Sequence, residues 1–329
     1  MEIRDITKKY IHDLQDISLV ISELDMLLSF ACVAESNNYV KPTITDERII
    51  KIENGRHPVV EKVNKNDYVP NDIIMDKNVD ILLITGPNMA GKSTYMRQLA
   101  IIVIMAQIGS FVPASSCMIP IFDKIFTRIG ASDDLVGGES TFMVEMKEAN
   151  RAISDATENS LILFDELGRG TATYDGMSLA ESILEYIHNH IHAKTMFSTH
   201  YHELTSMSKS LKRIKNIHVS AQEEKGSITF LHKVKDGAID KSYGINVANL
   251  AHLPSEVIER ANEILKMYET ASKNKKEEIS LQTSFDFTID NKNDEIIEEI
   301  RNINPLCLTP MEALNKLYEI CEKVKKENK

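Results

Sequence analysis

With 329 residues, 43% of them hydrophobic, the chain can bury one large domain or two modest ones, which excludes a small stapled scaffold. A formal net charge of −11 argues against a surface given over to nucleic acid, although a basic patch on an acidic body stays open. Cys32, Cys117, Cys307 and Cys321 form no C-x-x-C pair, no cationic leader opens the chain, and the longest apolar run, Ala100 to Ile108, is far shorter than a membrane span; reduced structural thiols and a soluble cytoplasmic protein with no membrane partner are expected.

From Tyr10 onward, Leu14, Ile17, Ile21, Leu24, Leu28 and Ala31 recur at alternating steps of three and four, predicting a long helix with one apolar stripe that needs a covering partner. Asn37, Asn38 and Pro42 break it. The stretch Ile49 to Ile52 then alternates and ends at Asn54-Gly55, a strand leading into a turn, where the main domain is expected to begin. Short apolar runs at Ile81 to Thr85, Leu161 to Phe164 and Thr195 to Thr199 alternate with helical segments, the pattern of a largely parallel sheet covered by helices. The predicted fold class is α/β.

After Tyr243-Gly244 a helix, a turn at Leu253-Pro254 and a second helix through Val257, Ile258, Ala261, Ile264 and Leu265 predict a helical hairpin. Glu256, Glu259 and Glu263 on the second helix favour packing over DNA reading. Thr270 to Asn293 is rich in Lys, Glu, Ser and Asp and reads as a flexible linker. Helical spacing returns over Ile296 to Val324, where Thr309-Pro310 followed by Glu312 opens a terminal helical unit.

Gly86, Pro87, Asn88, Met89, Ala90, Gly91, Lys92 and Ser93 fit G-x-x-x-x-G-K-[ST] between a predicted strand and a helical run, the context that a phosphate-binding loop requires. The glycines let backbone N–H groups wrap phosphates at a helix N-terminus, Lys92 neutralises β/γ oxygens, and Ser93 offers a hydroxyl to Mg²⁺. Asp165 and Glu166 end an apolar strand, where Asp165 stands by Mg²⁺ and Glu166 orients or deprotonates an attacking water. His200, ending the next strand, is placed to hydrogen-bond the γ-phosphate or that water.

The stretches TGPNMAGKSTYMRQLA, GASDDLVGGESTFMVEM, FDELGRGTATYDGMSLA and STHYHEL resemble the four ATPase blocks of the MutS family of DNA mismatch repair proteins. ELDMLLSFACVAESNNYVKP, GRHPVVE and KSYGINVANLAHLPSEVIERANEIL extend the resemblance from about Ile3 to Glu269. Ala90 is a departure, standing where the family usually has a second glycine; the generic loop leaves that place free.

The resemblance implies an ABC-type ATPase that binds ATP and Mg²⁺, with Thr94 completing the loop's nucleotide contacts, and dimerises with nucleotide near the interface. Ser140 matches the serine presented to a partner subunit's γ-phosphate. Arg169 and Thr171 lie in a turn like the family's crossing loop, and Tyr68 and His232 match the two neighbours of adenine. The implied division is a lever-arm end (1–45), a P-loop ATPase domain (46–242), a dimerisation hairpin (243–269), a linker (270–293) and an oligomerisation unit (294–329). Gln282 to Phe287 resembles the peptide that binds the sliding clamp, and Leu308 to Tyr318 the bacterial oligomerisation tail. The partners implied are a second copy in a homodimer or higher oligomer, MutL, the sliding clamp, and mismatched DNA through the full-length protein. No segment resembles the family's mismatch-reading domain or its encircling clamp, and the chain opens inside the returning arm.

Two other functions compete. A transporter nucleotide-binding subunit shares the loop and acid pair but carries a Leu-Ser-Gly-Gly-Gln signature where this chain has Gly137-Gly138-Glu139-Ser140-Thr141. A scaffold that binds nucleotide without turnover is disfavoured by Lys92, Ser93, Asp165, Glu166 and His200 together.

Overall fold

The computed structural model describes residues 2–63, 68–87, 89–130, 140–224, 227–239 and 243–276. Two compact units divide the chain, Met1–Asn262 and Glu263–Lys329. The first begins with α1 (Glu2–Thr7), a 3-10 turn and α2 (Ile11–Asn37). It continues through β1 (Thr43–Ile44), β2 (Ile50–Gly55), α3 (Val60–Val63), β3 (Asn71–Met75), β4 (Ile81–Thr85), α4 (Lys92–Gln107), β5 (Ser116–Ile119), β6 (Ile125–Arg128) and α5 (Thr141–Asp155). Then come β7 (Leu161–Asp165), α6 (Thr173–Tyr186), β8 (Lys194–Ser198), α7 (Met207–Ser210), β9 (Ile214–Glu224), β10 (Ser227–Asp236), α8 (Gly244–Leu250) and α9 (Ser255–Lys276).

The α/β expectation holds. A six-stranded sheet runs β10-β9-β4-β8-β7-β6, parallel from β9 to β6, with β10 returning antiparallel on β9. Both of its faces are covered, so its inner strands are apolar without alternation: every residue of β4 is buried. Strand pleating nevertheless divides them, since Leu82 and Ile84 pack with α4 (Met96, Leu99, Val103), whereas Ile81 and Leu83 pack with α6 (Ala180, Ile183, Leu184). A second, mixed sheet, β1-β5-β2-β3, was not foreseen.

Three expectations need correction. Asn54-Gly55 is no turn: both residues lie in β2, where the register against β3 shifts between Ile52 and Gly55. Asn54 takes φ 48° and donates its N–H to Asp72 Oδ1 at 2.7 Å, and a Cβ on Gly55 would collide with Gln98, so the pair builds a bulge beneath α4. α2 ends as expected, with Asn38 in the left-handed region sending its N–H to Ala34 and Glu35 carbonyls. It carries no single stripe, however. Leu14, Ile17, Ile21, Leu24 and Leu28 are exposed, and so are Leu19, Val20, Met26, Leu27 and Val33, so the helix is apolar all round. Nor is Ala100 to Ile108 the stretch closest to a membrane span: the helical stretch Ile3–Asn37 has an 18-residue window of mean hydropathy 1.9, long and apolar enough to cross a bilayer. A helix enclosed on every side by other protein has the same composition.

Two helices, α8 and α9, follow one another where the spacing predicts them, with His252 in the left-handed region between them. In the unit Glu263–Lys329 the described residues continue α9 to Lys276, into the stretch read as linker. Gln282 to Phe287 and Leu308 to Tyr318 lie outside the described residues.

Candidate functional site

The C-terminal ends of adjacent parallel strands β4, β7 and β8 form one edge, where side chains from three segments converge. Beyond β4 the backbone turns at Gly86 (φ 137°), Met89 (φ 66°) and Gly91 (φ 103°), and Gly91 leads directly into α4. A Cβ on Gly86 would stand 3.1 Å from the Val219 carbonyl oxygen, so a side chain there meets both strain and crowding. Ala90 is buried and is not among the positive-φ residues, so alanine fits that place without backbone strain.

Lys92 is only 4% exposed. Its Nζ donates to the carbonyls of Gly86 (2.8 Å) and Pro87 (3.2 Å) and lies 3.5 Å from Glu166 Oε1. Burial pulls its pKa down, and the Glu166 and Asp165 carboxylates only partly oppose this. The Ser93 hydroxyl donates to Asp165 Oδ2 at 2.5 Å, and that of Ser198 donates to Oδ1. Ser198 was missed by sequence reasoning; its signal is its register, directly beside Asp165 in the β7/β8 pair.

Glu166 takes φ 57°, its N–H donating to the Ser198 carbonyl (3.0 Å) and hydroxyl (3.1 Å). Its carboxylate is shared by His200 Nε2 and an Arg169 guanidinium N–H, with Lys92 beyond. Burial alone would raise its pKa; the His200 hydrogen bond and the charges of His200, Lys92 and Arg169 override it and bring the value to about 2. Glu166 is therefore ionised throughout the physiological range, better suited to orienting a water than to holding its proton.

Beside the loop lies a cavity of about 270 Å³ lined by Tyr68, Ala90, Gly91, Thr94, Gln98 and His232, among others. The Tyr68 hydroxyl accepts the His57 N–H (2.8 Å) and donates to Gln98 Oε1 (3.0 Å), and burial raises its pKa. His232 takes φ 51° and its Nδ1 donates to the Ala90 carbonyl at 2.8 Å. Asn71 fixes that segment, donating to the His232 carbonyl and accepting from the Val234 N–H, each at 2.8 Å. Gln98 and Asn71 carry no sequence signal of their own.

Lys92, Ser93, Asp165, Glu166 and His200 are thus brought together, and Tyr68, His232, Ala90, Gly91 and Thr94 line the adjoining cavity. Met89, though exposed, also lines that cavity, and Asn88 lies outside the described residues. Ser140 stands apart: it caps α5, accepting the Met143 N–H at 3.2 Å, and shares no hydrogen bond or ion pair with Lys92, Asp165 or Glu166 among the described residues. Gly137, Gly138 and Glu139 lie outside them. The group fits Mg²⁺ and a phosphate chain: the Ser93 and Asp165 oxygens converge as a hard cation requires, and the turn is left-handed where a Cβ would crowd it.

A family model described as MutS domain V matches residues 82–269, and one described as the DNA mismatch repair protein MutS C-terminal region matches residues 290–323. The chain is 55% identical over 336 residues to the DNA mismatch repair protein MutS of Geobacillus sp. (strain WCH70), covering 97% of this chain and 39% of that protein. It is 53% identical over 338 residues to the protein of the same name from Listeria monocytogenes serotype 4b, covering 98% and 39%, and 54% identical over 343 residues to that of Oceanobacillus iheyensis, covering 97% and 39%. The chain therefore spans about 39% of the length of these relatives.

Proposed function

The chain belongs to the MutS family, and from that premise we propose that it is an ATP-binding, ATP-hydrolysing and self-associating module of a DNA mismatch repair protein. The observation that carries the reading is the convergence of Lys92, Ser93, Asp165, Glu166 and His200 beside the cavity bordered by Tyr68 and His232. The proposed architecture is an ABC-type P-loop domain over residues 46–242, flanked by a lever-arm end (1–45), a dimerisation hairpin (243–269), a linker (270–293) and an oligomerisation unit (294–329).

In this reading Tyr68 and His232 hold the base, while residues 86–94 and Lys92 hold the phosphates, with backbone N–H groups and one buried cation doing the neutralising. Ser93 and Asp165 would hold Mg²⁺, which when bound supplies positive charge beside the phosphate oxygens. Glu166 orients the attacking water from a carboxylate kept ionised, and His200, sharing that carboxylate, steers it. Ser140, exposed at the head of α5, would serve the site of a second copy. Mismatched DNA, reached through the full-length protein, MutL, and the sliding clamp at Gln282 to Phe287 are the partners proposed. The test is Mg²⁺-dependent phosphate release by the purified chain: activity lost on removing Mg²⁺ is expected, and its absence at saturating ATP refutes the proposal.

A further inference from the structure

Glu145 is a buried acid that the proposed chemistry does not use. It is 7% exposed and lies on the face of α5 that also buries Ala149 and Ala152. A carboxylate on an apolar helix face is costly unless hydrogen-bonded. Its Oε1 accepts the backbone N–H of Gly168, in the loop between β7 and α6.

That loop is gripped from three more directions. The Tyr201 hydroxyl donates to the Gly168 carbonyl at 3.0 Å. Gly168 (φ 94°) lies so close to Gly176 that a Cβ on it would stand 2.5 Å from the Gly176 oxygen. A Cβ on Gly170 would stand 2.9 Å from that of Phe142, also on α5. Between the two gripped glycines stands Arg169, half exposed, whose guanidinium reaches back to Glu166.

We propose that Glu145 is a positioning residue: by fixing the Gly168 N–H it seats the backbone from which Arg169 engages Glu166, making α5 and this loop one mechanical unit. The assignment rests on the proposed function for its catalytic consequence, not for its geometry. Since α5 opens at Ser140, Ser140 is joined to Glu166 by a single helix and two hydrogen bonds, Gly168 N–H to Glu145 and Arg169 to Glu166.

The test uses the full chain with Glu145→Ala, Glu145→Gln, Arg169→Ala and the double variant Glu145→Ala/Arg169→Ala. Glutamine keeps an acceptor for Gly168, so it should retain turnover within about threefold, while alanine should lower kcat by about tenfold or more with ATP affinity nearly unchanged. The double variant should be no slower than Arg169→Ala alone, because Glu145 acts through that residue. Amide exchange at Gly168 should rise about tenfold in Glu145→Ala while exchange in β7 stays as in the parent. Unchanged kcat in Glu145→Ala, a loss of ATP affinity matching the loss of kcat, or additive effects in the double variant would overturn the assignment. If the parent chain hydrolyses no ATP, the proposed function fails and Gly168 exchange alone decides: unchanged exchange in Glu145→Ala sinks the Glu145 assignment too.

Discussion

The Lys92 ammonium lies 3.5 Å from the Glu166 carboxylate while two loop carbonyls hold it from the other side. In the proposed function the cation assigned to phosphate and the acid assigned to water are thus partners.

Lys92→Ala removes ground-state charge from the phosphate cradle and should weaken ATP binding about tenfold or more, whereas Glu166→Gln should leave affinity within about threefold and slow hydrolysis about a hundredfold. Fluorescent-nucleotide titration beside single-turnover hydrolysis separates the two. Equal loss of affinity in both variants would refute the division of labour.

Glu166 also predicts a pH dependence. Its pKa falls from an ordinary 4.5 to about 2 on folding, so its contribution to stability is fully present above about pH 4.5 and is lost as pH falls towards 2. Glu166→Gln should be less stable than the parent near neutrality, and the gap should narrow through that window. Denaturant melts at several pH values read it; a gap constant from pH 6 down to about 2.5 would mean that the ion-pair cluster stabilises nothing.

If Ser140 serves a neighbouring copy, Ser140→Ala and Lys92→Ala chains, each slow alone, should regain part of their turnover when mixed, since each supplies the half-site the other lacks. Mixing without recovery, under conditions where subunit exchange is demonstrated, removes the composite site.

Phe164 and Phe197 meet edge to face, centroids 6.1 Å apart at 87°, each almost fully buried between the sheet and α6. Phe197→Ala should cost about 3–5 kcal/mol, read as a shift in denaturant midpoint at unchanged slope. A loss under about 1 kcal/mol would show that this layer repacks freely.

The parallel sheet was legible because strands covered on both faces must be apolar throughout, and the loop because left-handed turns before a helix call for glycine at Gly86 and Gly91. The acid pair was legible for the same reason: charge at the end of an apolar strand stands out. Asn54-Gly55 misled because a bulge and a hairpin turn use the same left-handed residues, and only the strand paired alongside distinguishes them. The four-stranded sheet was hidden because its strands pair non-locally, Ile52 of β2 lying opposite Cys117 of β5 with β3, β4 and α4 between them in the chain. The stripe on α2 was a selection from a surface that is apolar everywhere, where any helical spacing finds matches. Ser198, Gln98 and Asn71 act by where they lie, and polar residues of their kind are common in any chain.

The left-handed backbone at Glu166 solves a problem of direction. In a regular strand neighbouring side chains point to opposite faces, so two consecutive acids would be divided between the two helix layers. Asp165 leaves β7 towards Ser93, and the reversal of φ at the next residue swings Glu166 back to the same edge, towards Lys92. The arrangement costs about 1–3 kcal/mol of local strain, which two hydrogen bonds from the Glu166 N–H to Ser198 help to sustain. A residue chosen here for conformational comfort alone would be glycine or asparagine, so glutamate marks a position where the backbone gives up ease and two adjacent charges stand on one side.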